Sequence, residues 1–471
     1  MIKANMKKLT TLLLLGFIIF SYSCSKDDPV STTPIQSGIP SKPKNLTPIY
    51  EDSLVNLKWE TPDNTGDPII AKYLVYRKSG SSNFENIGST VYNINTFKDT
   101  SVIILNSYSY YVTALNPNGE SERSNEISAT PYPFGVNNFV KAIAIKGDDV
   151  YVGGNFTFAG GQIALRIARW NGSNWSEVGG GLNNSATSIV VNGNDIYVGG
   201  NFTTAGGKSA LHVAKWDGNS WSALGSGLGT PNDFVLALAI SGNDVYAGGK
   251  FLTAGGTSAI NIAKWDGTSW SALGGGIGGN IYSYIESITI SGNDVYVGGR
   301  FTRAGSSRAF NIAKWDGSDW SAIGGDSISS FSDVSALETI GNDLYAGGYY
   351  TTIGGISAVN IAKWNGTNWS GLESGIYGVG AVVTCIAINN NDLIAGGQYS
   401  NAGSIIANNI ARWNGSVWTG FGSGLEGNDN NFLEAIAIKG SDIYVGGSFT
   451  VAGGISAINV AKWDGTEWSG F

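Results

Sequence analysis

The stretch 236-LALAISGNDVYAGGKFLTAGGTSAINIAKWDGTSWSAL-273 decides the fold. It opens on the apolar run Leu236–Ile240 and turns at Ser241-Gly-Asn-Asp244. It continues as VYAGGKF, passes the Gly-rich segment Thr253–Ser258, and resumes as Ile260–Trp265. A second turn, Asp266-Gly-Thr-Ser269, leads into Trp270-Ser-Ala-Leu273. These are four runs of strand length and strand composition, bounded by Gly, Asn and Asp clusters. The Gly-Asn and Asp-Gly dipeptides supply the positive φ that tight hairpin turns require. The stretch therefore reads as a four-stranded antiparallel meander.

It is repeated seven times. Fourteen of the fifteen Trp residues fall in pairs five positions apart: Trp170–Trp175, Trp216–Trp221, Trp265–Trp270, Trp315–Trp320, Trp364–Trp369, Trp413–Trp418 and Trp463–Trp468. A fixed period near 50 residues marks a repeat architecture. Seven meanders suit a β-propeller, whose blades pack face to face around an axis and leave few exposed edges. One Trp of each pair ends the third strand and the other opens the fourth, so the rings are expected to stack across strands and cover the blade's outer edge. The glycines of the AGG and VGG phrases are expected to let neighbouring backbones approach closely.

The repeat resembles the kelch / galactose-oxidase type of propeller. Val150–Gly154, Ile196–Gly200, Val245–Gly249, Val295–Gly299, Leu344–Gly348, Leu393–Gly397 and Ile443–Gly447 match that family's Gly-Gly-ending second strand, and the Trp pairs match its third and fourth strands. The phrases GGNFTFAGG, GGNFTTAGG and GGSFTVAGG are similar to those of extracellular cell-surface propellers. The resemblance covers residues 138–471 and implies an architecture. The scaffold hosts many activities, so it implies no single function. The first repeat begins with its first strand (Lys141–Ile145) and the last ends with its fourth (Trp468–Phe471). The ring is expected to close by packing of blade one on blade seven, without a shared blade. The chain stops at Phe471, where other repeats run on into Gly, which reads as a gene end or the end of a fragment.

Residues 1–23 combine Lys3, Lys7 and Lys8 with the apolar run Leu12–Phe20 and read as a secretory signal. Cys24 at the cleavage point resembles a bacterial lipoprotein signal, which implies acylation of Cys24 and an outer-membrane protein exposed on the cell surface. The following Ser25-Lys-Asp-Asp28 resembles a surface-export signal. Residues 24–39 are rich in Pro, Ser and Thr and read as a flexible tether. Residues 40–132 carry alternating strand patterns that predict a β-sandwich. Their order resembles a fibronectin type III domain, which implies that Trp59 is the core Trp and Tyr108 the tyrosine-corner residue. Residues 134–471 form the expected propeller. The fold class is thus all-β.

Composition narrows the partners. The chain holds 28 Lys and Arg against 36 Asp and Glu, and without the leader's three lysines the balance is 25 against 36, a net charge of −11. This argues against nucleic acid or an anionic membrane face, and leaves the lipid anchor as the membrane link. With Cys24 acylated, Cys385 remains alone and reads as a small buried residue in the inner strand. A monomer without cofactor is expected. The single His212 sits where later repeats have Asn261, Asn311, Asn360, Asn409 and Asn459. One His builds neither a His-rich metal site nor a copper site, and no Gly-x-Ser-x-Gly elbow accompanies it. The carboxylates of the Trp-Asp-Gly and Gly-Asn-Asp turns recur because the turns need them.

Function is therefore sought where the repeat varies. The 1–2 and 3–4 turns are short and uniform, whereas the 4–1 connections (179–187, 225–235, 274–285, 324–334, 373–384, 422–433) differ in length and residue type. Rigid scaffolds place recognition on variable loops. These loops bring Phe234, Tyr282, Tyr284, Phe331, Tyr377 and Phe432 towards one rim, where rings suit stacking on sugars or docking of peptide. In the fourth repeat Arg300, Arg303 and Arg308 fall on the same face, where they could hold a carboxylate or sulfate. The leading expectation is a surface-anchored, non-enzymatic binding or adhesion module for extracellular glycan or protein. A carbohydrate-active enzyme (a glycosidase or lyase) with its site on the same face, and a structural surface-assembly component, are the alternatives. Clustered carboxylates in a pocket would favour the enzyme. A polar, featureless face would favour assembly.

Overall fold

A computed structural model describes residues 38–51, 54–103, 106–131, 135–324, 332–427 and 432–471, and all its regular elements are strands. Cys24 and Phe331 lie outside the described residues.

The described residues begin with a fibronectin type III sandwich. Strands Lys44–Glu51, Leu54–Glu60 and Thr96–Asp99 form one sheet. Lys72–Ser79, Glu85–Val91, Tyr108–Asn116, Gly119–Glu120 and Ile127–Ala129 form the other. Alternation buries Leu57 and Trp59 from the first sheet against Tyr73, Val75, Tyr110 and Val112 from the second. Trp59 meets Tyr73 edge-on at 5.4 Å. The Ile103 amide donates to the Tyr108 hydroxyl at 2.9 Å, the tyrosine-corner bond.

Seven four-stranded antiparallel sheets follow, each built from one stretch of chain with a short hairpin inserted between its second and third strands. The inner strands are Val140–Lys146, Ala186–Asn192, Phe234–Ser241, Tyr284–Ser291, Asp333–Ile340, Val382–Asn389 and Phe432–Lys439. Each packs against the inner strands of the flanking blades, and the seventh packs against the first, so no blade is shared. The closure has a further component. Gly135 pairs in parallel with Ile458, and the Asn459 side-chain amide donates to the Val136 carbonyl at 2.8 Å. Elsewhere the 4–1 connection receives this bond, as when Asn261 donates to the Ile277 carbonyl at 2.8 Å. Residues 135–138 thus stand in for a seventh 4–1 connection.

The two glycine phrases act differently. In VYAGG, a Cβ at Gly249 would lie 2.1 Å from the Phe234 carbonyl oxygen, so close backbone approach demands glycine. In TAGGTS, Gly255 and Gly256 have φ of +59° and +83° and form the tip of a two-residue hairpin between Thr253–Ala254 and Thr257–Ser258. That phrase reflects turn chemistry more than close packing.

The Trp pairs also do more than cover an edge. The two rings sit on directly opposed residues with centroids 5.5 Å apart, as in Trp265 and Trp270. The second indole N–H reaches back to the preceding blade: Trp270 donates to the Leu224 carbonyl at 2.8 Å and Trp320 to the Leu273 carbonyl at 2.9 Å. Each second Trp is buried; those of blades two, three, four, six and seven make this bond and bolt two blades together, whereas Trp175 and Trp369 leave Nε1 buried without a partner.

Candidate functional site

The 4–1 connections and the 2–3 hairpins lie on one face and are knitted to each other. Ile277–Gly278 pairs with Arg303–Ala304, Ile376–Tyr377 with Asn401–Ala402, and Leu425–Glu426 with Val451–Ala452. A buried left-handed Asn anchors the connection in blades three to seven, and Arg166 takes the same left-handed position in blade one. Asn261, at φ +60°, accepts from the Phe251 amide at 3.1 Å and donates to the Ile277 and Ser283 carbonyls. His212 occupies the same backbone state, with Nε2 2.7 Å from the Thr230 carbonyl oxygen. It is a substituted anchor inside the scaffold. Cys385, expected to be buried, is half-buried in the inner strand against the core of blade seven, and desolvation pushes its thiol well above the usual range.

The turn carboxylates are occupied. Asp244 pairs with Lys264 at 2.9 Å, and the same second-to-third-strand pair joins Asp294 to Lys314 and Asp195 to Lys215. Asp316 accepts from the Asp319 and Ser318 amides, which hold its carboxyl down at about 2. These groups brace turns.

The variable face is apolar in a way the rest of the ring is not. Among the described residues, the propeller exposes thirteen large hydrophobic side chains. Twelve lie on the 4–1/2–3 face, including Ile163, Leu252, Ile281, Val379 and Ile406; Val417, in a 3–4 turn, is the exception. Tyr282 and Tyr377 belong to the twelve, at 65% and 39% exposure. Tyr377 donates its hydroxyl to the Gly403 carbonyl at 2.9 Å, which fixes the ring. With Tyr349 it flanks a cavity of about 320 Å³ between blades five and six. A cavity of about 370 Å³ lies on the opposite face between blades six and seven, lined by the uniform turns.

Phe234, Tyr284 and Phe432 are half-buried and open three of the inner strands, so they ring the mouth of the central channel. Phe139, which the sequence did not single out, joins them with its ring 5.8 Å from that of Phe432.

The three arginines are not gathered into one anion site. Arg300 is committed to Asp333, through Nε at 2.7 Å and Nη2 at 3.1 Å. Arg303 donates to the Ser306 carbonyl within its own hairpin, and Arg308 lies 4.8 Å over the Phe310 ring. Each guanidinium thus has a partner inside its own blade or the next.

Immediately inside the mouth, every inner strand carries a β-bulge near its start, at the second residue in blades one and two and at the third in the others. A bulge re-aims the extra residue. Here it turns one side chain from each blade onto the axis: Lys141, Thr187, Leu236, Glu286, Ser335, Thr384 and Glu434 line a single cavity of about 310 Å³. Burial raises the Glu286 carboxyl above the usual carboxylate range, and its Oε2 is buried with no hydrogen-bond partner. Burial also raises Glu434, against the pull of Lys141 and with a further push from Glu286. In the fifth blade, Glu338 is pushed up to about 7 by burial and accepts from the Thr289 hydroxyl at 3.3 Å. Among the described residues, no three acidic, His or Cys side chains come together as a metal site.

Sequence reasoning missed Lys141, Glu286 and Glu434. Alternation does not announce a bulge, but comparing Lys141 with its equivalents across repeats would have shown two acids and a Lys against neutral side chains.

A family model described as the Rax2 C-terminal beta propeller domain matches residues 121–290. No curated protein matches the chain. Among solved structures, a fragment of titin is 21% identical over 20% of this chain and 32% of its own length, with a TM-score of 0.19. The chain thus spans about a third of that fragment's length. An Fn3-like protein from Clostridium thermocellum is 24% identical over 20% of this chain and 94% of its own, with a TM-score of 0.17. A beta-1,2-glucanase from Parabacteroides distasonis is 22% identical over 21% of this chain and 13% of its own, also with a TM-score of 0.17.

Proposed function

We propose that the propeller is a binding module for an extracellular glycan or protein, and that it engages its ligand through the 4–1/2–3 face. One observation carries this reading: twelve of the thirteen large apolar side chains exposed on the described ring are on that face. Exposed apolar surface concentrated on one side marks an interaction site, whereas scattered single residues do not. The fixed Tyr377 and exposed Tyr282 supply flat rings for stacking. The face is neither polar nor featureless, which counts against a purely structural assembly role. The propeller is read as kelch-type. The Cys24 anchor and the tether would hold the sandwich and ring away from an outer membrane, and net negative charge fits a polyanion-free partner.

A second reading draws on the axial cavity. Glu286 and Glu434 depart from the repeat, share one cavity and are both raised, which are properties of a carboxylate pair in a glycoside hydrolase. A screen of the whole chain against extracellular glycans and matrix proteins, with release of reducing sugar followed in parallel, separates the two. Retention without release is expected. Release of sugar that disappears in Glu286→Gln would replace the binding reading with the enzyme.

A further inference from the structure

We propose that the axial cavity recognises the primary ammonium of an amino sugar, with Glu286 as the carboxylate that receives it. This rests on the binding reading above and names the ligand class for the channel mouth. The cavity is built identically in every blade by a bulge, yet its lining is not uniform. Two carboxyl groups face one lysine, so the enclosed charge is one short of balance on the cationic side. Blades four and seven, which carry Glu286 and Glu434, are nearly opposite in a ring of seven. Lys141 belongs to blade one, beside Glu434, and acts on that carboxyl. Glu286 has no lysine in either flanking blade, where the matching residues are Leu236 and Ser335.

The Glu286 Oε2 is a buried acceptor with no donor. Leaving such an atom unserved is costly, and a donor bearing positive charge is the strongest group to serve it. An ammonium brings three donors and the missing charge.

The rest of the cavity selects a sugar as the carrier of that ammonium. Thr187 and Thr384 donate their hydroxyls to the Val235 and Leu433 carbonyls, and Ser335 bonds the Glu286 carboxyl, which leaves hydroxyl oxygens around the axis as acceptors for a sugar's ring hydroxyls and not for the aliphatic stem of a lysine. The volume, about 310 Å³, equals roughly ten waters at about 30 Å³ each, enough to admit one monosaccharide. Phe139, Phe234, Tyr284 and Phe432 surround the entrance, where the faces of the next sugar would stack.

Calorimetric titration of the whole chain with glucosamine, N-acetylglucosamine, glucose and Nα-acetyl-lysine amide tests the proposal. Glucosamine is expected to bind, and N-acetylation is expected to weaken it by at least about ten-fold, because the charge and its donors are lost. Glu286→Gln should cause a similar loss, and Glu434→Gln a smaller one. Val417→Ser, in a 3–4 turn on the opposite face, should leave the affinity unchanged. Thermal unfolding of each variant shows whether it folds, and the N-acetylglucosamine comparison needs no variant at all. Equal binding of glucosamine and N-acetylglucosamine, preference for the lysine amide, undiminished binding by folded Glu286→Gln, or no glucosamine binding at millimolar concentration would each overturn it. None of these outcomes touches the apolar face, whose ligand is tested separately by substitution of Tyr282 and Tyr377.

Discussion

At the residue scale, the most demanding positions are those whose side chains serve backbone. Asn261 combines a left-handed backbone with three buried hydrogen bonds. Asn261→Ala should destabilise the protein by about 2–4 kcal/mol, the sum of unserved buried groups and an unfavourable φ. Asn261→Gly should recover only the φ component, so the two variants separate in a urea titration. Asn at this site was legible as a recurring residue, but its role was not, because a left-handed anchor has no periodic signature. The arginines show the opposite error. Arg300, Arg303 and Arg308 stood out by composition, and their partners Asp333, the Ser306 carbonyl and Phe310 emerge only when the chain is folded.

Glu338 gives a pH dependence with a defined sign. Its folded value of about 7 lies above the usual unfolded value of about 4.3, so the folded state holds the proton more tightly. Its contribution to stability is fully present below the unfolded value and is lost as pH rises to about 7. Glu338→Gln should flatten that decline by about 1–3 kcal/mol between pH 4.5 and 7.5, seen as a reduced loss in denaturation midpoint. An unchanged slope would show that the carboxyl is solvated. Glu286 and Glu434 are raised for the same reason and act with the same sign.

At the element scale, the strands and turns were legible because composition, alternation and turn residues agree in all seven repeats. Two features were not. The bulge near the start of each inner strand interrupts alternation without a marker residue, so the axial cavity was invisible. Among the described residues, the pairing of 4–1 connections with the next blade's hairpin joins segments some 25 residues apart, such as Ile277 and Ala304. The glycine phrases yield a direct contrast. Gly249→Ala drives a Cβ to 2.1 Å from a backbone oxygen, whereas Gly256→Ala meets nothing within 4 Å and carries only the penalty of φ +83°. Gly256→Ala should cost about 1 kcal/mol and Gly249→Ala about 3 kcal/mol or more, with the latter lowering the yield of folded protein. Equal midpoints for the two would refute the close-approach account of the second strand.

At the scale of the whole molecule, seven repeats of one packing solution make the ring, and closure combines the docking of blade seven on blade one with the anchoring of residues 135–138 by Asn459. Repetition made the architecture readable from the Trp spacing alone. The same repetition hides function, because a site is a departure from the pattern and each departure has to be placed in space. The apolar residues of the variable face come from connections and hairpins of nearly every blade, and their convergence on one side depends on the ring.

That convergence is the central claim, and it has a direct measurement. The whole chain and two variants are applied to an array of extracellular glycans and matrix proteins: Tyr282→Ala with Tyr377→Ala on the variable face, and Val417→Ser on the other. The account predicts that the chain and Val417→Ser bind the same array members, and that the double variant loses at least about ten-fold in affinity while unfolding at the same temperature. Equal binding by all three proteins, or loss confined to Val417→Ser, would contradict it.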